Sequence, residues 1–274
     1  AYLEWHDDFV LPDSEISKLE PDVHDADLVF MACSGLPQYP AIAIAQRYGK
    51  PVGMMGWVAS VDITAYLRSR GLEGYCFLDF EDLNHVLSLL RVRKAFRKTR
   101  FLVASEGNSM VPTGVVSSIW DLEGLKRRYG IEYTCVSATD LICEMDNLSE
   151  AEIEQAEERT TGLVDNAEIS HMSREDVVPS VKFYLAVSKA LAKYESNAFV
   201  IPCFEICAKR VMEERRVVFC LTHTLLKDAG IPSACEADTN VLMAIALLMY
   251  TSKKAAFNSN TALIDREENI LAVH

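Results

Sequence analysis

An α/β fold built on parallel sheets follows from three observations. Short, nearly unbroken apolar runs recur along the chain, among them DLVFMA (27–32), RFLVAS (100–105) and AFVIPCF (198–204). Runs of that length without polar alternation suit strands buried on both faces. Between them lie stretches of helical period, several closed by a glycine, and the links are short. Strand, helix, strand in that rhythm is the pattern of parallel βαβ units.

Each element can be read in turn. After DLVFMA, the stretch YPAIAIAQRYGK predicts a helix, with Pro40 in its first turn and Gly49 as its stop. PVGMM (51–55) is the next strand. VDITAYLRSRG then predicts a helix ending at Gly71, YCFLD (75–79) a third strand, and residues 81–98 a long amphipathic helix. The pattern restarts with RFLVAS, the helix of WDLEGLKRRYG ending at Gly130, and the strand IEYTCVS (131–137). Ser149 followed three residues later by Glu152 is a capping box that starts a further helix. A long helix through VVPSVKFYLAVSKALAKYES leads to AFVIPCF as a strand, a helix over 222–228, and IPSAC (231–235) as the last strand before the apolar helix VLMAIALLMY. The expected architecture is two consecutive Rossmann-like, doubly wound domains, 1–97 and 98–252, followed by the start of a C-terminal domain over 253–274. The chain opens without Met and stops at NILAVH, within what reads as a strand, so a piece of a longer chain is expected.

Composition narrows the class of function. With 274 residues, 50% of them hydrophobic, the chain can bury a substantial core. Its net charge of −13 makes nucleic acid and anionic membrane poor partners, since phosphate neutralisation needs the opposite sign. The basic stretch RVRKAFRKTR (91–100) reads as a solvated helix face. The longest apolar run is too short for a bilayer, which needs about 20 residues. Eight cysteines are scattered without a CxxC pair, and some, such as Cys76 and Cys220, sit in apolar runs as small hydrophobes. A reducing cytoplasm is the expected location.

The common nucleotide and hydrolase motifs are missing: GxGxxG, GxxxxGK[ST] and GxSxG are all absent. CSGLPQYP (33–40) reads as a plain connection and the His6–Asp7–Asp8 cluster as an exposed segment. The HMSRED stretch around His171 reads as a helix-capping loop. His85 and His223 read as packed or hydrogen-bonded. What remains is CEADTN (235–240). Asp238, before a helix, is a good N-cap. Glu236, at the carboxyl end of a buried strand, needs a partner or a cation; strand alternation would point it the same way as Asp238. Asn260 lies 260 − 236 = 24 residues downstream and His274 lies 274 − 236 = 38, so a carboxylate, an amide oxygen and an imidazole at three element ends can converge on one divalent cation.

The stretch GIPSACEADTNVLMAIALLMYTSKKAAFNSN…ENILAVH resembles the L-fucose isomerase and L-arabinose isomerase superfamily. Members carry a Glu followed by a small residue and Asp, an apolar helix, a Phe near a second acid, and later a His. DADLVFMACSGLPQYPAIAIAQRYGKPVGMMGW (25–57) is similar to the family's first Rossmann-like domain, and residues 122–153 to a stretch of its second. The resemblance implies a metal-dependent aldose–ketose isomerase, usually with Mn²⁺, that moves a proton between C1 and C2 of a sugar through an ene-diol. It implies Glu236 as metal ligand and base, Asn260 at the place of the second acid as ligand and catalytic group, and His274 as the imidazole ligand. It also implies a homo-oligomer, trimer or hexamer, with a small sugar as substrate. This chain departs from the pattern at Asn260, which can ligate but cannot accept a proton. Asp265, another carboxylate, or a relay through water or substrate then takes that role, or the chain is an altered, non-catalytic member that binds a sugar or sugar derivative.

Overall fold

The apolar runs become parallel strands. The structure is a computed structural model that describes residues 16–31, 38–55, 58–105, 122–208 and 210–273. These residues fall into two compact units that divide between Arg93 and Lys94. The first contains helix α1 (Glu20–Asp25), β1 (Val29–Met31), α2 (Gln38–Tyr48), β2 (Val52–Met55), α3 (Val58–Ser69) and β3 (Gly74–Phe77). Helix α4 (Phe80–Arg97) carries the chain across the division. In the second unit come β4 (Arg100–Ser105), α5 (Leu122–Tyr129), β5 (Glu132–Ser137), α6 (Ala138–Cys143), α7 (Glu150–Asp165) and α8 (Arg174–Lys193). They are followed by β6 (Ala198–Val200), α9 (Cys203–Ala208), α10 (Val211–Arg215), α11 (Phe219–Asp228), β7 (Ser233–Ala234), α12 (Thr239–Ser252), β8 (Thr261–Asp265) and β9 (Ile270–Val273).

In the first unit β1, β2 and β3 pair in sequence order, all parallel. Val52 and Met54 of β2 are fully buried against Ala41, Ile44 and Ala45 of α2 and Ile63 and Leu67 of α3. Gly53 faces the other way, and a Cβ there would lie 2.5 Å from the Phe77 ring. That close approach makes glycine the residue of choice in mid-strand. The glycines read as helix stops, Gly49, Gly71 and Gly130, all adopt positive φ.

The second unit holds a four-stranded parallel sheet in the order β5-β4-β6-β7. Period-two alternation sorts its side chains. Phe101, Val103, Ala198, Val200 and Ala234 join a core with Leu122 and Leu125 of α5 and Leu242, Ile245 and Ala246 of α12. Leu102, Ala104, Phe199 and Ile201 join the opposite core, with residues of α6, α7, α8 and α11. Both faces of β4 and β6 are therefore covered, which is why these two strands carry no polar alternation. Full burial of a Phe such as Phe101 or Phe199 stabilises the sheet by about 2–3 kcal/mol. The capping box at Ser149 is present, and a second, Ser173 with Asp176, starts α8. Among the described residues no helix is long and apolar enough to cross a membrane.

Two strands are shorter than their apolar runs. β6 stops at Val200 because Pro202 cannot donate to the ladder, and Cys203 and Phe204 open α9 instead. β7 spans just Ser233–Ala234, since the backbone turns left-handed two residues later. Two side chains also sit differently from their reading: His85 and Cys220 are exposed on α4 and α11.

His223 of α11 is buried against the Phe199 ring, with Nδ1 2.6 Å from Ser233 Oγ. Among the described residues its Nε2 has no hydrogen-bond partner. Burial, with a smaller push from Lys227, lowers its pKa to about 3, so the ring is neutral in the folded protein. A histidine held below its unfolded value stabilises the fold fully above about pH 6.5 and loses that contribution as pH falls towards its folded pKa. Chemical denaturation at pH 7.5 and 5.5 should show the wild type losing about 1 kcal/mol more than His223→Phe over that interval. Equal losses would contradict a neutral buried ring.

Candidate functional site

The chain after β7 makes an unusual turn. Glu236 and Ala237 both have left-handed backbones, with φ of +61° and +51°. For L-residues each costs on the order of 1–2 kcal/mol, so local bonds must hold the turn. The Ala237 N–H donates to the Ile201 carbonyl at 2.9 Å, tying the turn to the chain just beyond β6. The Asp238 N–H donates to the Cys235 carbonyl at 3.1 Å. The Asp238 carboxylate in turn accepts from the Val241 N–H at 3.0 Å, making it the N-cap of α12. Non-glycine residues held in such conformations cluster at functional sites.

Glu236 and Asp238 do not sit on an extended strand, contrary to the alternation expected of them, and they take different partners. The left-handed turn breaks the extended geometry on which alternation depends. Asp238 is buried and committed to its helix. Glu236 is half-buried, and its Oε1 accepts a hydrogen bond from Asn260 Nδ2 at 3.0 Å.

Two residues 24 apart in sequence meet because an outward and a return path match in length. Helix α12, 14 residues long, runs about 21 Å from the turn at 1.5 Å per residue. Lys253, left-handed at φ +57°, ends it. Residues 253–260 then have up to about 27 Å of extended reach to come back. Asn260 thus stands immediately before β8, beside the residue from which α12 set out.

The other expected participants are placed differently. His274 lies outside the described residues, as do His6, Asp7, Asp8 and residues 33–37 of the CSGLPQYP connection. Asp265, the acid considered as a replacement for the second carboxylate, accepts through Oδ1 from the N–H groups of Glu267 and Glu268, at 2.8 and 3.0 Å. It organises the β8–β9 turn. His171 is exposed.

A pair of cysteines beside Glu236 was not legible from spacing. Cys203, at the start of α9, and Cys235, directly after β7, place their sulfurs 2.7 Å apart, with the Cys235 thiol donating. That bond lowers the Cys203 pKa, helped by the backbone N–H groups of Glu236 and Phe204 and opposed by burial. Cys235, as the donor and more deeply buried, is raised. Each cysteine follows an apolar run, but their adjacency emerges only when β6 and β7 are known to be neighbours.

Chemically, the Glu236 carboxylate can take a proton or ligate a cation. Asn260 steadies one of its oxygens, and a half-turn of the amide would offer Oδ1 in place of Nδ2. Two side-chain oxygens on flexible carbons form a hard donor set suited to Mn²⁺ or Mg²⁺. Among the described residues no group of three His, Cys, Asp or Glu side chains could hold a metal ion. In comparisons with known proteins, no family model matches the chain, and no curated protein matches it.

The cap at Asp238 has a measurable consequence. Asp238→Ala should lower stability by about 1 kcal/mol in urea denaturation, whereas Asp238→Asn should retain most of it. Equal losses in the two variants would mean that the charge, not the cap bond, is what matters.

Proposed function

We propose that this chain is a metal-dependent aldose–ketose isomerase whose reacting carboxylate is Glu236. The observation that carries the reading is the Glu236–Asn260 hydrogen bond, which joins the two positions that the family resemblance implies across 24 residues. Its place at the carboxyl ends of two parallel strands supports it, because open parallel sheets bind ligands there. On this reading the two units are consecutive Rossmann-like, doubly wound domains. The protein is cytoplasmic, takes a small sugar, binds neither nucleic acid nor membrane, and assembles as a homo-oligomer, trimer or hexamer.

Glu236 Oε1, Asn260 Oδ1 after the amide turns, and the His274 imidazole are the groups that would hold the cation. A divalent cation such as Mn²⁺ supplies Lewis acidity to the hydroxy-carbonyl of the sugar, making the neighbouring C–H easier to deprotonate. Oε2 of Glu236, the oxygen Asn260 does not engage, takes the proton from C2 of the aldose. The same oxygen returns it to C1, giving the ketose through an ene-diol. With its amide turned, Asn260 would hold the cation beside the carboxylate, and it moves no proton. The hydroxyl-to-carbonyl proton exchange therefore passes through water or the sugar's own hydroxyls.

The same observation supports a second reading. An amide in place of an acid suits an altered family member that binds a sugar or sugar derivative without turnover.

The test is an assay of the Mn²⁺-supplemented chain on a panel of aldoses and ketoses. Loss of a positioned general base costs 10²–10⁴-fold, so Glu236→Gln should reduce turnover by about 100-fold or more. If the absent acid limits the rate, Asn260→Asp should raise turnover. Activity untouched by Glu236→Gln would sink the isomerase reading. Calorimetric sugar binding with no turnover in wild type or Asn260→Asp would favour the second.

A further inference from the structure

We propose that Cys203 and Cys235 are a dithiol–disulfide couple that a small-molecule disulfide oxidises, fastening the chain beyond β6 to the turn that carries Glu236. β6 and β7 are parallel neighbours, with Val200 opposite Ala234. Cys235 follows Ala234 directly, and Cys203 is three residues beyond Val200. The Ala237 N–H bond to the Ile201 carbonyl, together with the Cys203 N–H bond to the same carbonyl at 3.0 Å, folds both segments around one oxygen. The two sulfurs are brought to 2.7 Å by backbone that is already hydrogen-bonded. A disulfide needs about 2.05 Å, so the bond closes with a sulfur movement of well under 1 Å. Both cysteines are half-buried and free. By contrast Cys135, Cys143, Cys207 and Cys220 are exposed.

The step balances with an oxidant of the form R–S–S–R. One protein sulfur, as thiolate, attacks a sulfur of the small disulfide and expels R–S⁻, which takes up the proton that the protein thiol released. The second protein thiol, giving its proton to the next leaving group, attacks the protein sulfur of the mixed disulfide and expels the second R–S⁻. Two protein S–H bonds are replaced by one S–S bond, and the small disulfide is reduced to two R–SH. Excess R–SH reverses the sequence.

The bond would close a loop of 33 residues, counting 203 to 235 inclusive. It would add a covalent tie beside the Ala237–Ile201 backbone hydrogen bond, which now joins the left-handed turn to the chain beyond β6. The strand order and sulfur approach that allow it involve no group of the proposed cation site.

The experiment equilibrates the full chain, anaerobically, in glutathione buffers of graded oxidised-to-reduced ratio, followed by acid quench, alkylation and peptide mass spectrometry. The expected result is a peptide pair joined through Cys203 and Cys235, lighter by two hydrogens, that forms at ratios leaving Cys135, Cys143, Cys207 and Cys220 as alkylatable thiols. Hydrogen exchange at the Ala237 amide should slow in the oxidised protein. Cys203→Ser and, separately, Cys235→Ala should abolish the linked pair, and the wild-type measurement stands even if a variant misfolds. The proposal is overturned if Cys203 and Cys235 are recovered as free thiols or separate glutathione adducts at every ratio, if Cys203 pairs with Cys207, or if Ala237 exchange is unchanged by oxidation.

Discussion

Burial of β4 and β6 on both faces is the constraint from which the rest follows. With Phe101 and Val103 in one core and Leu102 and Ala104 in the other, the middle of β4 is left to apolar side chains. Polar and charged groups are driven to the strand ends. There the backbone must reverse at once into a helix on one face or the other. β7 does so within two residues, through a left-handed pair whose conformational cost is opposed by the Ala237–Ile201 bond and the Asp238 cap. Glu236 is the side chain left at the outer edge of that reversal, between core and solvent.

A carboxylate in this position has two neighbours of different chemistry. On one side Asn260 arrives by the return path from α12 and engages Oε1. On the other, the Glu236 N–H is among the backbone donors to the Cys203 sulfur. The turn is therefore held by its backbone, its side chain is steadied by an amide, and a sulfur pair stands against it. A change in any one of the three is felt at the carboxylate without passing through the core. The two proposals made above rest on different neighbours, the sugar chemistry on Asn260 and the redox couple on Cys203 and Cys235.

Much of this was legible in the sequence, for identifiable reasons. Doubly buried strands announce themselves as apolar runs, so RFLVAS coincides with β4. Helix starts and stops written in single residues were equally readable, as at Ser149, Asp238 and Gly130. The reading went astray where backbone geometry departs from the local average. AFVIPCF and IPSAC have strand composition, but Pro202 and the left-handed turn at Glu236 cut both short. The inferred shared direction of Glu236 and Asp238 depended on an extended backbone that is not there. The Cys203–Cys235 approach is a product of strand order, which no local pattern encodes. Asn260 was legible only through its spacing, since nothing in FNSN distinguishes a site residue from a loop.

The central claim is that Glu236 and Asn260 form one cation site. Its most direct test is titration of the full chain with Mn²⁺, following the free-ion signal by electron paramagnetic resonance. The account predicts one tightly bound equivalent per chain in the wild type, lost in Glu236→Gln and weakened in Asn260→Ala. Binding of equal strength in wild type and Glu236→Gln would contradict it.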